Sequence, residues 1–310
     1  MSLLEIIDLK THFPTPNGFV KAVDTIDLRI AKKETFGLIG ETGCCKSVLG
    51  HSIIRLIQSD AVMKGKIIYK EKNLLEISEA EMRNIRGEEI AMILQNPTTS
   101  LNPVIKVGEQ IAEAIRLHQH LNKKDAKQKA IEMLDAVRIP SPSQRSDEYP
   151  HEFSGGMKQR VMIAMGLACD PALVIADEPT KGLDVTIKIQ IVELMKEITA
   201  QKAMLLITHD LGVAAEMCDR IALMYAGELV EYASVIEIFE NPLHPYTRGF
   251  LDSLPGRGLV PIPGMSPSLI DYPDGCRFHH RCSHVMEICK HNHPGMTEMK
   301  DGHFVRCFHA

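Results

Sequence analysis

The most constraining feature of this 310-residue sequence is a short glycine-containing segment between an apolar run and a stretch of helical periodicity. The segment is Gly40-Glu41-Thr42-Gly43-Cys44-Cys45-Lys46-Ser47, and helical spacing continues to residue 58. This order nearly fits the phosphate-loop pattern G-x-x-x-x-G-K-[ST], in which backbone N–H groups and a helix N-terminus bind phosphate. In this pattern the Lys46 ammonium binds the phosphate oxygens and the Ser47 hydroxyl is a Mg²⁺ ligand. Because Cys45 replaces the second glycine, an ordinary strand-to-helix turn is the alternative.

The composition indicates a globular protein whose main partner is not a polyanion. Hydrophobic residues make up 45% and charged residues 24% of the sequence, and the formal net charge is -5. These values exclude global disorder, and the acidic balance argues against a nucleic-acid partner. The N-terminus lacks the pattern of a secretory signal, and no apolar run approaches the roughly 20 residues of a membrane span. We therefore expect any membrane role to come through partner subunits.

The hydrophobic pattern predicts an α/β fold. Residues 2–10 and 19–30 mix apolar and polar side chains at short spacing, which predicts two strands of a half-exposed antiparallel sheet. Short apolar runs at residues 173–176 and 204–207 alternate with segments of helical periodicity. Such alternation is typical of a parallel sheet with helices packed against it.

The same pattern suggests how the chain is divided. A largely helical stretch over about residues 96–153 indicates a subdomain inserted into a domain of residues 1–240. After this domain the periodicity weakens, Pro and Gly cluster, and four of the eight cysteines occur near the end. We expect residues 241–310 to form a C-terminal extension with a cysteine-rich tail.

Further short segments carry side chains suited to nucleotide chemistry, each at a predicted strand end or helix start. They are Gln95, Ser154-Gly155-Gly156-Met157, Asp177-Glu178, Leu183-Asp184 and His209. Asp177 can hold Mg²⁺ and Glu178 can polarise an attacking water, although two acids after a strand also cap helices. Ser154 and its glycines suit an anion-binding helix start, for which a plain N-cap is the alternative.

Taken in order, these segments resemble the nucleotide-binding subunit of an ABC transporter over about residues 2–235. Closer features resemble the ATPase subunits of dipeptide, oligopeptide and nickel importers. They are Gln95-Asn96-Pro97-Thr98-Thr99-Ser100-Leu101-Asn102-Pro103, Met157, His244-Pro245-Tyr246-Thr247-Arg248, Ile262-Pro263-Gly264 and the cysteine tail. The resemblance implies an ATP-hydrolysing subunit that powers import of peptides or a nickel chelate. It also implies a phosphate-loop ATPase core with a parallel sheet, an antiparallel β subdomain, an α-helical subdomain and a Cys-rich C-terminal extension.

By the same resemblance, two ATP-binding subunits form a head-to-tail sandwich around ATP and Mg²⁺. ATP is held by Gly40, Glu41, Thr42, Gly43, Cys44, Cys45, Lys46 and Ser47, and Mg²⁺ by Ser47, Gln95 and Asp177. Glu178 is the general base, His209 contacts the γ-phosphate, and Gln95 links Mg²⁺ to the membrane subunit. Ser154, Gly155, Gly156 and Met157 serve the partner's ATP, and Leu183 and Asp184 form the loop after the acidic strand. Phe13 is the candidate to stack on adenine, with Phe19, or a core role for both, as alternatives.

Cys45 departs from the family pattern, which has glycine at that position. One interpretation is a catalytically weakened regulatory subunit paired with an active ATPase, and the other is that the cysteine is tolerated. A thiol beside Lys46 and a helix N-terminus is also expected to have a lowered pKa. A soluble ABC ATPase acting on nucleic acid or ribosomes is disfavoured, because those proteins usually carry two ATPase halves or a basic surface.

The cysteine tail contains Cys276, Cys282, Cys289 and Cys307. Their spacing lacks the Cys-x-x-Cys knuckles typical of structural zinc sites. By resemblance to the tails of peptide-importer ATPases, they are ligands of a [4Fe–4S] cluster, which four cysteines can hold. Zinc and unligated thiols are the alternatives.

The resemblance also implies the partners. They are a second ABC ATPase subunit, two transmembrane permease subunits and, indirectly, an extracytoplasmic solute-binding protein, with no nucleic acid. We expect the second ATPase to be a different chain, and a second copy of this chain is the alternative. The predicted location is peripheral, on the cytoplasmic face of the cell membrane.

Overall fold

The computed structural model describes residues 2–254 and 256–310. Its strands are β1 (Ser2–Thr15), β2 (Gly18–Ala31), β3 (Thr35–Ile39), β4 (Val62–Tyr69), β5 (Lys72–Asn73), β6 (Ile90–Ile93), β7 (Leu173–Asp177), β8 (Ala203–Thr208), β9 (Arg220–Tyr225), β10 (Glu228–Ser234), β11 (Thr297–Lys300) and β12 (His303–Val305). Its α-helices are α1 (Lys46–Ile53), α2 (Glu79–Ile85), α3 (Pro97–Ser100), α4 (Val107–Gln119), α5 (Lys123–Ala136), α6 (Pro142–Arg145), α7 (Gly155–Leu167), α8 (Val185–Thr199), α9 (Leu211–Met217), α10 (Val235–Glu240), α11 (Pro245–Asp252) and α12 (Glu287–His291). Short 3₁₀ turns cover Pro150–Glu152 and His279–Arg281.

The chain divides into two compact units. The first comprises the described residues of Met1–Ala31, Thr35–Leu75 and Ile207–Ala310, and the second comprises Lys32–Glu34 and Glu76–Leu206. The chain therefore enters the second unit and returns to the first, with the boundary inside β8.

The first unit contains an antiparallel sheet in the order β2-β1-β4-β5. On β2, Ile26, Leu28 and Ile30 are buried and alternate with exposed Asp27 and Arg29. This period of two gives the sheet one apolar face, which it buries. The prediction of two antiparallel strands near the N-terminus is thus confirmed.

The same unit also holds strands in the order β11-β12-β10-β9-β3, in which β3 runs parallel to β9. The end of the cysteine tail joins this layer, because β12 pairs antiparallel with β10. The Tyr232 and Phe304 rings stack across that pair with centroids 4.5 Å apart. The tail is therefore built into the first unit through backbone pairing and aromatic packing.

In the second unit the strand order is β8-β7-β6, with β6 and β7 parallel. Helices α4 and α5 pack on each other through apolar stripes of helical period. The stripe on α4 contains Val107, Ile111 and Ile115, and that on α5 contains Ala126, Ala130 and Leu134. The predicted α/β fold class, with antiparallel and helical subdomains, is confirmed. Over residues 2–254 and 256–310, every helix is too short or too polar to span a membrane.

Candidate functional site

The phosphate loop, residues 40–47, joins β3 to α1 in the first unit. Lys46 is buried, and its Nζ donates to the carbonyl oxygens of Gly40 at 2.7 Å and Glu41 at 3.1 Å. Gly43 has a φ of 89°, a left-handed conformation that favours glycine. The loop thus curls around its own lysine at the start of a helix, the arrangement of an anion-binding loop.

Cys45 is the N-cap residue of α1 and has φ 69° and ψ 28°. A β-carbon in this left-handed geometry costs about 1–2 kcal/mol, which a glycine would avoid. The side chain makes no capping hydrogen bond to the helix. The first amides of α1 consequently have no side-chain cap from this residue.

The expectation that the Cys45 thiol has a lowered pKa is wrong. The pKa of Cys45 is raised to about 11. Burial is the main cause, the neighbouring Cys44 thiol adds to it, and the Lys46 charge opposes both only in part. Desolvation thus outweighs the lysine charge, and the thiol is protonated at neutral pH.

Glu41 anchors the phosphate loop to the C-terminal extension. Its backbone N–H donates to the Tyr246 hydroxyl at 3.0 Å, and its Oε2 lies 2.8 Å from the Ser266 hydroxyl. Arg281 donates to both carboxylate oxygens, at 2.8 and 2.9 Å. Although burial acts to raise the pKa of Glu41, hydrogen bonds from Arg281 and Ser266 and the charges of Arg281 and Lys46 hold it below its ordinary value. The sequence reasoning missed these three partners, and only the His244–Arg248 motif pointed toward one of them.

The acidic strand β7 lies in the second unit and is buried throughout its length. Asp177 ends it, and Glu178 follows with a φ of 49° and only 8% exposure. A non-glycine residue in this conformation stores of order 1–3 kcal/mol of strain, which proteins tolerate mainly at functional sites. The structure therefore brings two carboxylates together at the end of one buried strand.

The signature segment, residues 154–157, begins α7 in the second unit. Ser154 is the N-cap, and its hydroxyl accepts from the Met157 N–H at 3.3 Å. A β-carbon on Gly156 would lie 2.9 Å from Ile187 Cγ2, whereas one on Gly155 would meet no atom within 4 Å. Ser154 and Gly155 are exposed, so the helix start is open to solvent.

Other predicted site residues lie at the ends of strands and helices. In the second unit, half-buried Gln95 follows β6, half-buried Leu183 precedes α8, and Asp184 caps that helix by accepting from Ile187 N at 3.0 Å. In the first unit, exposed His209 follows β8.

The aromatic candidates both lie in the antiparallel sheet of the first unit. Phe13 on β1 is half-buried and pairs with Val20 on β2, while Phe19 is 46% exposed. Neither is therefore a fully buried core residue, and each retains ring surface for a contact.

The four tail cysteines lie in the first unit as free thiols. Cys276 N–H donates to the Cys289 carbonyl at 2.8 Å. Burial raises the pKa of Cys276 to about 12, with smaller contributions from Glu228, Cys289 and Cys307. Burial also raises the pKa of Cys282, with smaller contributions from Cys307 and Cys289. The backbone N–H of His284 donates to the Cys282 sulfur at 3.4 Å, and that of His309 donates to the Cys307 sulfur at 3.3 Å. Among residues 2–254 and 256–310, no group of three or more His, Cys, Asp or Glu side chains has the arrangement of a metal-ion site.

Comparison with known proteins gives consistent matches. Residues 23–181 match the family model described as ABC transporter, and residues 230–289 match the model described as oligopeptide/dipeptide transporter, C-terminal region. The chain is 46% identical to the probable peptide ABC transporter ATP-binding protein y4tR of Sinorhizobium fredii, covering 99% of this chain and 95% of that one. It is also 46% identical to the dipeptide transport ATP-binding protein DppD of Bacillus subtilis, covering 99% and 94%.

A solved structure with a similar fold is the ATP-binding cassette MJ0796 in a post-hydrolysis dimer bound to ADP and Pi. It superposes with a TM-score of 0.67 at 22% identity and covers 75% of this chain and 98% of that chain. At this level of identity the likeness establishes the fold.

Proposed function

The chain belongs to the family of ABC transporter ATP-binding proteins, and we propose that it is the ATP-hydrolysing subunit of a peptide importer. The observation that carries this proposal is the phosphate loop, in which buried Lys46 lies at the start of α1. The peptide-transporter model matched by residues 230–289 supports di- or oligopeptides as the cargo. A nickel chelate is the alternative cargo that the resemblance leaves open. The subunit acts peripherally at the cytoplasmic face of the membrane, beside two permease subunits. An extracytoplasmic solute-binding protein delivers the cargo to those permeases.

At its own nucleotide, residues 40–47 bind the phosphates of ATP through backbone N–H groups and the Lys46 ammonium. Glu178 orients and deprotonates the attacking water, and the strained φ of 49° supports a functional role for it. His209 contacts the γ-phosphate, and Phe13 stacks on the adenine. These roles are proposed from family membership, residue by residue.

Mg²⁺ is the cation that the family uses with ATP, and it neutralises charge that develops on the phosphates. Ser47, Gln95 and Asp177 supply hydroxyl, amide and carboxylate oxygens, which are the hard donors this ion prefers. The donor chemistry therefore fits the ion, and these three residues are proposed to hold it.

Residues 154–157 serve the ATP of a partner ATPase rather than the chain's own. The support is local: Ser154 and Gly155 are exposed at the N-terminus of a 13-residue helix, which suits binding of phosphate from another molecule. Leu183 and Asp184 form the adjoining loop of this surface. A different ATPase chain is the proposed partner, which lets a weakened site at Cys45 work beside an active one.

The proposed function is tested with two variants of the purified full-length chain and of its co-purified transporter complex. Lys46→Ala should lose ATP binding and turnover, while Glu178→Gln should keep ATP binding and lose turnover. Peptide uptake into vesicles should fall with turnover in both. Identification of the co-purified subunits tests the permeases and the second ATPase. ATP binding that survives Lys46→Ala would contradict the assignment of the site.

For the cysteine tail, we infer a [4Fe–4S] cluster held by Cys276, Cys282, Cys289 and Cys307. The support is the resemblance of the four cysteine positions to the tails of peptide-importer ATPases, together with the sulfurs of Cys282 and Cys307, which accept backbone N–H groups. Four cysteine thiolates are a suitable ligand set for this cluster. When bound, the cluster would cross-link the four cysteines, which are spread over residues 276–307 of the tail.

The cluster is tested by anaerobic purification followed by iron, acid-labile sulfide and zinc assays. About four iron and four sulfide atoms per chain are expected, with loss in Cys289→Ser. Cys218→Ser is the control, because that buried thiol lies outside the tail. Stoichiometric zinc without sulfide would replace the cluster by a zinc site.

A further inference from the structure

The phosphate loop contains a carboxylate, which is an unfavourable neighbour for a polyphosphate. Glu41 follows the first glycine of the loop, and the Lys46 ammonium lies 3.1 Å from its carbonyl oxygen. A free carboxylate at this position would repel phosphate and would also compete with it for Lys46. ATP binding by this loop therefore requires that the charge of Glu41 be neutralised from elsewhere.

Arg281 is built to do this. The residue is 8% exposed, and its two terminal nitrogens donate separately to the two carboxylate oxygens of Glu41. Its Nε donates to the Pro263 carbonyl at 2.9 Å, and its guanidinium lies over the Tyr225 and Phe278 rings at 5.7 and 5.9 Å. The Pro263 carbonyl and the two rings fix the orientation of the planar Arg281 guanidinium. In that orientation its terminal nitrogens face the phosphate loop.

The backbone of the loop is held from the same region. The Tyr246 hydroxyl accepts from the Glu41 N–H at 3.0 Å, and the Tyr246 ring packs on Tyr225 and Phe278 with centroids 4.8 and 5.5 Å away. The residue that bonds the loop amide and the residue that pairs with the carboxylate thus share one aromatic cluster. A shift of that cluster would move both contacts to Glu41 together.

We propose that Arg281 is a positioning residue for ATP binding, which neutralises the Glu41 carboxylate and keeps Lys46 available for the phosphates. This inference rests on the proposed function of the phosphate loop. It assigns the C-terminal extension a direct part in nucleotide affinity.

The test measures the Kd for ATP on the full-length chain and KM and kcat on the assembled complex. Arg281→Gln should weaken ATP binding about tenfold or more, because it leaves a charged hydrogen-bonding group unpaired. Turnover at saturating ATP should stay near the wild-type value, since Arg281 touches no reacting atom. Arg281→Lys keeps the charge and should recover most of the affinity.

The decisive variant is the double substitution Glu41→Gln with Arg281→Gln. Without the carboxylate there is nothing to neutralise, so affinity should return to within about threefold of wild type. If the double variant binds ATP as weakly as Arg281→Gln alone, the role of Arg281 is packing and the proposal fails. Should Arg281→Gln not fold, Glu41→Gln alone must bind ATP at least as well as wild type, and a loss of affinity there overturns the proposal.

Arg277→Gln is the matched control. Arg277 is also 8% exposed and lies in the same tail, but it pairs with Asp24 and Glu228 and lies over Tyr272. It should lower the melting temperature as Arg281→Gln does while leaving the Kd for ATP unchanged. An equal loss of ATP affinity in both variants would show that destabilisation of the tail causes the effect, and the proposal would fail. Wild-type chain that fails to bind ATP would instead refute the proposed function itself.

Discussion

The phosphate loop and the signature segment are both glycine-containing segments at a helix start, but they are stabilised in different ways. The loop is held by partners 205, 225 and 240 positions away in sequence, namely Tyr246, Ser266 and Arg281. The signature segment is capped by Ser154, three positions from its bonding partner. The phosphate loop therefore depends on residues far away in the chain, while the signature segment is capped by a residue of its own sequence.

The largest expected effect tests whether the phosphate loop binds the chain's own ATP while the signature segment acts on the ATP of a partner. Lys46→Ala should weaken ATP binding by the isolated chain about a hundredfold or more, because it removes the cation inside the loop. Ser154→Ala should leave that affinity unchanged and abolish turnover only in the assembled pair. Equilibrium binding and complex turnover check this. Reduced ATP binding by isolated Ser154→Ala would remove the distinction.

The next effect tests how tightly the signature helix start is packed. Gly156→Val should displace the start of α7, since even a β-carbon would lie 2.9 Å from Ile187 Cγ2. Complex turnover should fall about tenfold to a hundredfold, with unfolding destabilised by about 1–3 kcal/mol. Gly155→Ala is the stability control, because a β-carbon there meets no atom within 4 Å. Equal destabilisation by both substitutions would contradict the close-packing argument.

Acid should loosen the remote hold on the phosphate loop but not the local cap of the signature segment. Burial lowers the pKa of His244 from 6.5 to about 3, helped by Arg248 and Arg306, although a hydrogen bond to the Arg306 backbone opposes this. The His244 Nδ1 accepts from the Tyr246 N–H at 2.9 Å, and the His244 backbone N–H donates to Glu231 Oε2 at 2.9 Å. Because the unfolded imidazole takes up a proton first, stability falls as pH drops below 6.5 and continues to fall toward 3.

At pH 5 the opening equilibrium around Tyr246 should rise about 30-fold. Amide hydrogen exchange at Tyr246 and Met157, followed from pH 7 to pH 5 and corrected for intrinsic exchange, provides the measurement. His244→Asn keeps a capping side chain without a titrating ring and should remove most of the pH dependence. A matching rise at Met157 would show that the acid effect is global.

The smallest expected effect concerns strain inside the loop. Cys45→Gly should stabilise the chain by about 1 kcal/mol, because glycine adopts a φ of 69° without a β-carbon clash. Cys44→Gly is the control: its backbone has no positive φ, and it removes a buried thiol, so it should destabilise. Denaturant unfolding gives the stability. An unchanged single-site turnover in Cys45→Gly would refute the view that this cysteine impairs hydrolysis.

Local pattern was sufficient for much of the fold but not for the network around Glu41. The strand before Gly40, the buried run before Asp177 and the cap at Ser154 follow from hydrophobic period and helix-start chemistry, which act over a few residues. The helix predicted over residues 46–58 ends instead at Ile53, and Arg55 adopts a φ of 53°.

The ion pair of Arg281 with Glu41 had no sequence signal, because it depends on how the extension folds back across 240 positions. The pKa of Cys45 could not be read from its neighbours in sequence either. The lysine beside it was visible, whereas the desolvation that raises the pKa appears only after folding.

The long separation between Glu41 and Arg281 has a consequence for biosynthesis. Arg281 is added 240 residues after Glu41, which at about 5–20 residues per second corresponds to roughly 12–50 s of translation. During that interval the nascent loop carries its carboxylate without the guanidinium that neutralises it. If Arg281 has the proposed role, a chain that stops short of the tail should bind ATP more weakly than the completed subunit.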